Sequence, residues 1–432
     1  MGRRQAWLDA PAALRENGRM KTGDAAGALR VRARELFEAG VAAADPEAAL
    51  RAALAAHPLA PTGRREIVAV GKAARAMTRA ALAVLGPVPA LIVTNRENAA
   101  PLEGGEVRAA GHPVPDADGA RAAEAVLERA AALGAGDELV VLVSGGGSAL
   151  LPAPAPGLSL DDKAEVTRLL LRAGADITEM NLVRQQLSRI KGGGLARVAA
   201  PARVTALILS DVVGDDLRVI ASGPTVAPIG TRAEARARLQ ARGLWERVPQ
   251  AVRAHLASGD DPPPPPEADN RLIGSNAQSL AAMARAAPEA RRIDTPLVGD
   301  VGAAARTVLD AAGPGTTLFG GETTVNVTGP GRGGRNQELA LRVAFEAEAR
   351  GSAGPWVFLS GGTDGRDGPT DAAGGCVDDG TLARMRAAGV DPAAALAAND
   401  SYAALAASGD LLMTGPTGTN VADLQVMIRP DG

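Results

Sequence analysis

ELVVLVSGGGSALL, residues 138–151, runs a short apolar stretch straight into three glycines bracketed by Ser144 and Ser148, then back into apolar sequence. A run this short, rich in β-branched residues and ended by glycine, reads as a strand. Its lack of polar alternation says that both faces of that strand are covered. The same pattern stands upstream, where EIVAVG (66–71) leads into GKAARAMTRAALAVL (71–85) and ALIVT (90–94) follows, and downstream in VTALILS (204–210). Buried strands alternating with helical segments describe an α/β fold with a doubly wound, mainly parallel sheet. An Ala-rich helical region from Val31 to Ala56 precedes the first strand, and Ser159 with Asp162 has the spacing of a capping box for a helix beginning at Leu160.

Working outward, Pro262 to Pro266 form an unbroken proline run behind SGDD. Five successive prolines cannot join a helix or a central strand, so the run reads as an extended connector. The domain boundary is placed there: an extension over residues 1–30, a first domain over 31–261, a connector over 262–269 and a second, smaller domain over 270–432. In the second domain TTLFG (316–320) and TTVNVT (323–328) stand too close for a helical crossover, which predicts an antiparallel pair and hence a mixed sheet. Residues 1–19 show scattered charge and no apolar periodicity, so a chain starting at Met20 is expected to be as stable and active as the full one.

Composition narrows the function. The 432 residues carry a net charge of −3 and only 3 Trp, 1 Tyr and 4 Phe, a poor match to the basic, aromatic surfaces that bind nucleic acid. No apolar run is long enough to span a membrane. One cysteine, Cys376, excludes an internal disulfide and a cysteine-based zinc site, and His57, His112 and His255 have no ligand spacing. A cytoplasmic protein with small anionic or nucleotide partners fits best. Of 46 basic residues only four are lysines, at 21, 72, 163 and 191. Where lysine survives in such a chain an ammonium point charge is wanted in place of the planar guanidinium. Lys72 and Lys191 adjoin glycine-rich turns and are the candidates; Lys21 and Lys163 read as chance retentions.

Several loops have the chemistry of an anion site. Ser144, Gly145, Gly146, Gly147 and Ser148 follow a buried strand, where bare amides approach phosphate closely and where α/β sheets bind ligands. Lys72 follows another strand in the same way. RIKGGGLA (189–196) sets Lys191 beside Gly192 and Gly193. LSDVVGDD (209–216) ends a strand on Asp211, able to hold Mg²⁺ or take a hydroxyl proton. SGGTDG (360–365) delivers Asp364, and TGPTGTN (414–420) offers Thr414 and Asn420. Gly329, Gly331 and Gly334 match G-x-G-x-x-G, the dinucleotide fingerprint. Pro330, Arg332 and Arg335 make that loop cationic and no ribose-binding acid follows, so it reads as an oxyanion loop with Arg335 as a charge clamp. A Walker A sequence and a protein-kinase catalytic loop are both lacking.

Taken together, VAVGKAA, LIVTN, GHPVPD, VLVSGGGSALL, SRIKGGGLA, LSDVVGDD, ASGPT, GGETTV, GRNQELAL, SGGTDGRDGPTDAAG and TGPTGTNVADL occur in one order between about Val31 and Ile428. The ordered set resembles the class II glycerate kinase family, whose members are also named glycerate 2-kinases or hydroxypyruvate reductases. The resemblance implies two α/β domains with the active site in their cleft, and phosphorylation of D-glycerate at its 2-hydroxyl by ATP and Mg²⁺. It implies catalytic roles for Lys72 and Arg335. With it, Asp211 and Asp364 are expected at the metal, and the loops of Ser144 to Ser148, Lys191 to Gly193, Asp364, Thr414 and Asn420 at substrate or nucleotide. The alternative is an NAD(P)-dependent hydroxypyruvate reductase, or a sensor that binds without turnover.

Overall fold

The structure, a computed structural model, describes residues 22–430 apart from 260 and 353, with side chains from residue 26 onward. The expectation for Met20 lies outside the described residues. Strands β1 (Arg65–Val70), β2 (Ala90–Asn95), β3 (Glu106–Ala110), β4 (Glu138–Val143), β5 (Arg203–Leu209) and β6 (Asp269–Gly274) form one sheet. Their order is β3-β2-β1-β4-β5-β6 and every pair is parallel. Val68, Val141 and Val143 pack on one face under helices Ala117–Ala131 and Gly194–Ala199. Ile67, Val140 and Leu142 pack on the other under helices Pro46–Ala56 and Ala74–Leu85. Two-sided burial is why these strands read as continuous apolar runs. The Ser159–Asp162 capping box is present, with the Ser159 hydroxyl accepting from the Asp162 N–H at 3.0 Å.

The second sheet comprises β7 (Arg291–Arg292), β8 (Leu297–Asp300), β9 (Gly315–Thr324), β10 (Val357–Gly362), β11 (Gly374–Asp378), β12 (Leu411–Leu412) and β13 (Asp423–Arg429). Its order is β12-β11-β10-β13-β9-β7 with β8 also on β9, and it is mixed as expected. The two pieces predicted to pair with each other do not: one strand takes in the first and only Thr323 and Thr324 of the second. β9 runs from Gly315 to Thr324 and pairs antiparallel with β13. Gly321 allows this: its φ is +154°, and a Cβ there would fall 2.2 Å from the Leu297 carbonyl oxygen on β8.

Two further readings differ from the structure. The proline run does not separate the sheets, because β6 follows it and pairs parallel with β5, so the run skirts the edge of the first sheet. The first described helix, Thr22–Ala43, packs on β10 and β13. Leu36 and Phe37 are fully buried there with Leu359, Leu424 and Val426, so the described residues start in the second sheet's layer, cross to the first sheet, and return after β6. Among the described residues no helix is long and apolar enough to cross a membrane.

The first helix is also tied down by charge. Arg30 donates to Asp378 at 2.6 Å, to Asp410 at 2.5 Å and to the Cys376 carbonyl at 2.7 Å, and both carboxylates are buried. Arg384 reaches the same two acids. Arg30→Ala is expected to destabilise the protein by about 1–3 kcal/mol in urea unfolding, the scale of stripping a charged partner from buried acceptors. An unchanged midpoint would show that Arg384 alone satisfies both acids.

Candidate active site in the cleft between the sheets

In the first sheet β1 and β4 are neighbours from which the chain winds in opposite directions, and ligands of open α/β sheets settle at that reversal. The loops leaving the two strands are locked together. The Lys72 N–H donates to the Gly145 carbonyl at 2.9 Å, and the Ser144 hydroxyl accepts from the Ala73 N–H at 3.1 Å. Gly71 has φ +123°, and a Cβ there would fall 2.2 Å from the Ser144 hydroxyl oxygen, so only glycine permits the contact. A side chain at Gly145 would likewise meet Asp211 Oδ2 at 2.5 Å. Lys72, Gly145 and Asp211 are thereby held side by side.

Above them lies a cavity of about 830 Å³ lined from the first sheet by Lys72, Ser144 and Gly145, and from the second by Asp364, Arg366 and Asn420. Another, of about 710 Å³, lies beneath the proline run and takes in Gly192 but none of the candidate acids or Lys72. The first, which takes in Lys72 and Asp364, is therefore the candidate site, and Asp211 and Arg335 are not among the residues that line it. Burial raises the pKa of Asp211, with its own and the Gly146 backbone N–H and the charge of Lys72 opposing. Glu322, at the end of β9, is also raised: burial leads, Arg335 opposes, and the charges of Asp423, Asp211 and Asp364 add to it. Four carboxylates thus share one electrostatic environment with Arg335.

Arg335 opens helix Arg335–Ala349 and is clamped by two acids. Its Nε donates to Asp423 Oδ2 at 2.6 Å, its Nη2 to Asp423 Oδ1 at 2.9 Å, and its Nη1 lies 2.8 Å from Glu322 Oε1. Burial opposes its charge, yet the Asp423 hydrogen bonds and the charges of both acids raise its pKa above the ordinary arginine value. Asp423 is fully buried and follows Ala422, a non-glycine residue at φ +64°. Thr363 holds that turn, its hydroxyl donating to the Ala422 carbonyl at 2.6 Å and accepting from the Val421 N–H at 2.8 Å. Asn276, just beyond β6, donates to the Val421 and Asp423 carbonyls, both at 2.8 Å, and so fastens the first sheet to the same turn.

Two loop readings and the reading of one lysine are corrected. The G-x-G-x-x-G loop is no oxyanion loop: the Thr328 and Gly329 N–H groups donate to Asn399, that of Gly331 to the Ala398 carbonyl and that of Arg332 to Asp400. Its glycines serve close approach of the chain to itself, since Cβ atoms at Gly329 and Gly331 would strike Ala398, and one at Gly334 would strike Asp367. The space a dinucleotide pyrophosphate needs is occupied. Asp367 also takes the amides of Asn336 and Gln337 at the start of the Arg335 helix. Burial, with the Gln337 amide opposing, pushes its pKa up to about 6.

The Gly192 and Gly193 amides are not free for an anion either, since they donate to the Ser222 and Gly223 carbonyls at 3.0 and 2.8 Å. Both glycines have positive φ, and a Cβ would fall 2.9 Å from Pro228 at Gly192 and 2.5 Å from Pro265 at Gly193. Lys191 lies buried with its ammonium on Ser148. Gly146 and Gly147 continue the loop toward Ser148, and Thr414 bonds to the Gly415 carbonyl at the cavity rim. Finally, Lys163 is no chance retention: its ammonium is buried near Arg184 and Arg189.

A domain of unknown function, DUF4147, matches residues 32–257, and the MOFRL family matches residues 315–423. D-glycerate 2-kinase of Thermotoga maritima is 41% identical over 92% of this chain and 97% of its own length. The chain belongs to the glycerate kinase family. Human glycerate kinase is 38% identical over 93% of this chain and 94% of its own, and a protein of Agrobacterium vitis provisionally named a hydroxypyruvate reductase is 42% identical over 91% and 93%. The crystal structure of glycerate kinase from Thermotoga maritima superposes with a TM-score of 0.86 at 39% identity, covering 93% of this chain and 99% of that one.

Sequence reasoning missed Glu322, Asp423 and Asp367, the acids that hold Arg335 and its helix. Glu322 and Asp423 are lone carboxylates inside motifs noticed for their glycines, and Asp367 stands between Asp364 and Asp371 with nothing local to single it out. Asp423→Ala is expected to slow the family's kinase reaction about ten- to a hundredfold, the scale of losing a group that orients a functional side chain. Asp423→Asn keeps one acceptor and should lose less. Equal turnover in wild type and Asp423→Ala would show that Arg335 is positioned without the clamp.

Proposed function

We propose that this chain transfers the terminal phosphoryl group of ATP to the 2-hydroxyl of D-glycerate, giving 2-phosphoglycerate and ADP. The observation that carries the reading is the cleft at the strand reversal, lined by Lys72 from the first sheet and Asp364 from the second, with Arg335 held charged in the second sheet's layer outside that lining. Phosphoryl transfer passes through a loose transition state that asks the protein for positioned positive charge more than for covalent chemistry. Lys72 and Arg335 would neutralise the migrating group. The Gly145 amide and the loop to Ser148, together with Asn420 and Thr414, would bind the substrates' oxygens. Asp211, whose burial keeps it a stronger base than a solvated aspartate, would accept or orient the 2-hydroxyl proton.

The donor set suits a nucleotide-borne Mg²⁺. Among the described residues no three ligand-type side chains converge as a metal cage. Mg²⁺ in kinase sites is held by one or two carboxylates with the substrate's phosphates, and Asp211 and Asp364 would supply these. The ion contributes charge neutralisation at the phosphate oxygens. The expected setting is the cytoplasm. NADH-dependent reduction of hydroxypyruvate draws less support, because the glycine fingerprint is filled by the chain's own backbone.

Incubation with D-glycerate, ATP and Mg²⁺ should give 2-phosphoglycerate by NMR, with no hydroxypyruvate-dependent loss of NADH absorbance. The converse result would replace this reading. Lys72→Ala and Arg335→Ala should each lower kcat by about a hundredfold or more while remaining folded, the size of a lost transition-state charge. Lys72→Arg should not restore it, because the planar guanidinium is not a compact point charge. Near-normal turnover of either alanine variant at saturating substrates would remove that residue from the mechanism.

A further inference from the structure

Three cations gather at the end of the loop 144–148 without a carboxylate among them. The Ser148 hydroxyl oxygen accepts from Lys191 Nζ at 2.6 Å and from Arg184 Nη2 at 2.7 Å, and Lys191 also donates to the Ser148 carbonyl at 2.8 Å. Ser148 Oγ lies 2.9 Å from Ser222 Oγ, whose proton goes to Asn181 Oδ1 at 2.7 Å. The Ser148 proton must therefore go to Ser222, and the acceptors at this point are exhausted. Lys163 Nζ is buried with no hydrogen-bond partner.

The electrostatics are one-sided. Burial lowers the pKa of all three groups. The charges of Arg184 and Arg189 depress Lys163 further, to about 7, and those of Arg184 and Lys163 depress Lys191, while no acid opposes either shift. Arg189 alone in this neighbourhood has a carboxylate, Glu124. Ser222 is set among the cations by an unusual turn, Ala221, Ser222 and Gly223 having successive φ values of +49°, +61° and +64°. Left-handed conformation at non-glycine residues is costly and collects at binding sites. Buried cations facing only neutral hydroxyls form a cage still short of negative charge. Lys163 and Arg184 are half-buried as residues while the Lys163 ammonium itself is buried, so a ligand reaches the cage only when these side chains move.

We propose that Lys163, Arg184 and Lys191, around the Ser148–Ser222 hydroxyl pair, bind the oxyanion group of a substrate. The chemistry fits a carboxylate or a phosphate. The phosphotransferase reading, on which the choice of substrate rests, supplies one of each: the carboxylate of glycerate and the phosphates of the nucleotide.

The test uses the full chain with Lys163→Gln and Arg184→Gln, binding by calorimetry of D-glycerate and, separately, of ATP, and thermal melts without ligand. Without ligand, Lys163→Gln should melt no lower than wild type, because an unpaired buried charge has been removed. With ligand, the Kd of at least one of the two should rise tenfold or more in both variants. A change confined to glycerate assigns the cage to the carboxylate, and one confined to ATP assigns it to the phosphates. Unchanged Kd values for both ligands would overturn the site, and so would a lowered melting point in Lys163→Gln with affinities intact. Tenfold weaker binding in a chain that never phosphorylates glycerate would instead remove the functional reading and leave the site standing.

Discussion

Everything in the cleft refers back to one ion pair, the half-buried Arg335 on the fully buried Asp423. A fully buried carboxylate is tolerable only when its lone pairs are met and its charge is matched, and the forked guanidinium does both. The pair also sits where the two layers are sewn together. Asp423 begins the strand that anchors the second sheet, and Asn276, leaving the last strand of the first sheet, holds the carbonyl of that same residue. Arg335 is consequently fixed relative to Lys72 and Asp211 through backbone, without relying on long flexible side chains. Pre-placed charge of this kind needs no reorganisation when reaction occurs.

The glycines in this chain divide into two uses that look alike in sequence. At Gly71 and Gly145 the missing Cβ lets loops and an acid close together beside the ligand space, and the amides stay near it. At Gly192, Gly193, Gly329, Gly331 and Gly334 the missing Cβ lets the chain pack on itself. Where the amides go distinguishes the two, and amide partners are a tertiary property.

That distinction sets how far the sequence could be read. The parallel sheet was legible because strands covered on both faces must be apolar throughout, as Val140 to Val143 are. The position of Lys72 and Asp211 at the carboxyl edge of that sheet was legible because each follows closely on such a strand. The clamp was not legible: Asp423 and Arg335 stand far apart in the chain, and nothing local in either stretch distinguishes a buried partner from an ordinary surface charge. Glu322 was hidden in the same way. The proline run misled because a run excluded from regular structure looks like a boundary, although a chain can skirt a sheet and add one more strand to it, as β6 does. Lys163 misled because its helix start is polar, while its ammonium reaches inward past that start.

The placement of the first described helix has a consequence for how the protein is made. Leu36 and Phe37 are among the first core residues to be synthesised, yet their partners on β13 are among the last. At about 5–20 residues per second, roughly 20–80 s of translation separate them. For that interval the first sheet can assemble on the ribosome while the helix that precedes it has no surface to cover. The second layer therefore closes only once β13 has been synthesised, and the cleft, which needs Asp423, is completed in the same late step.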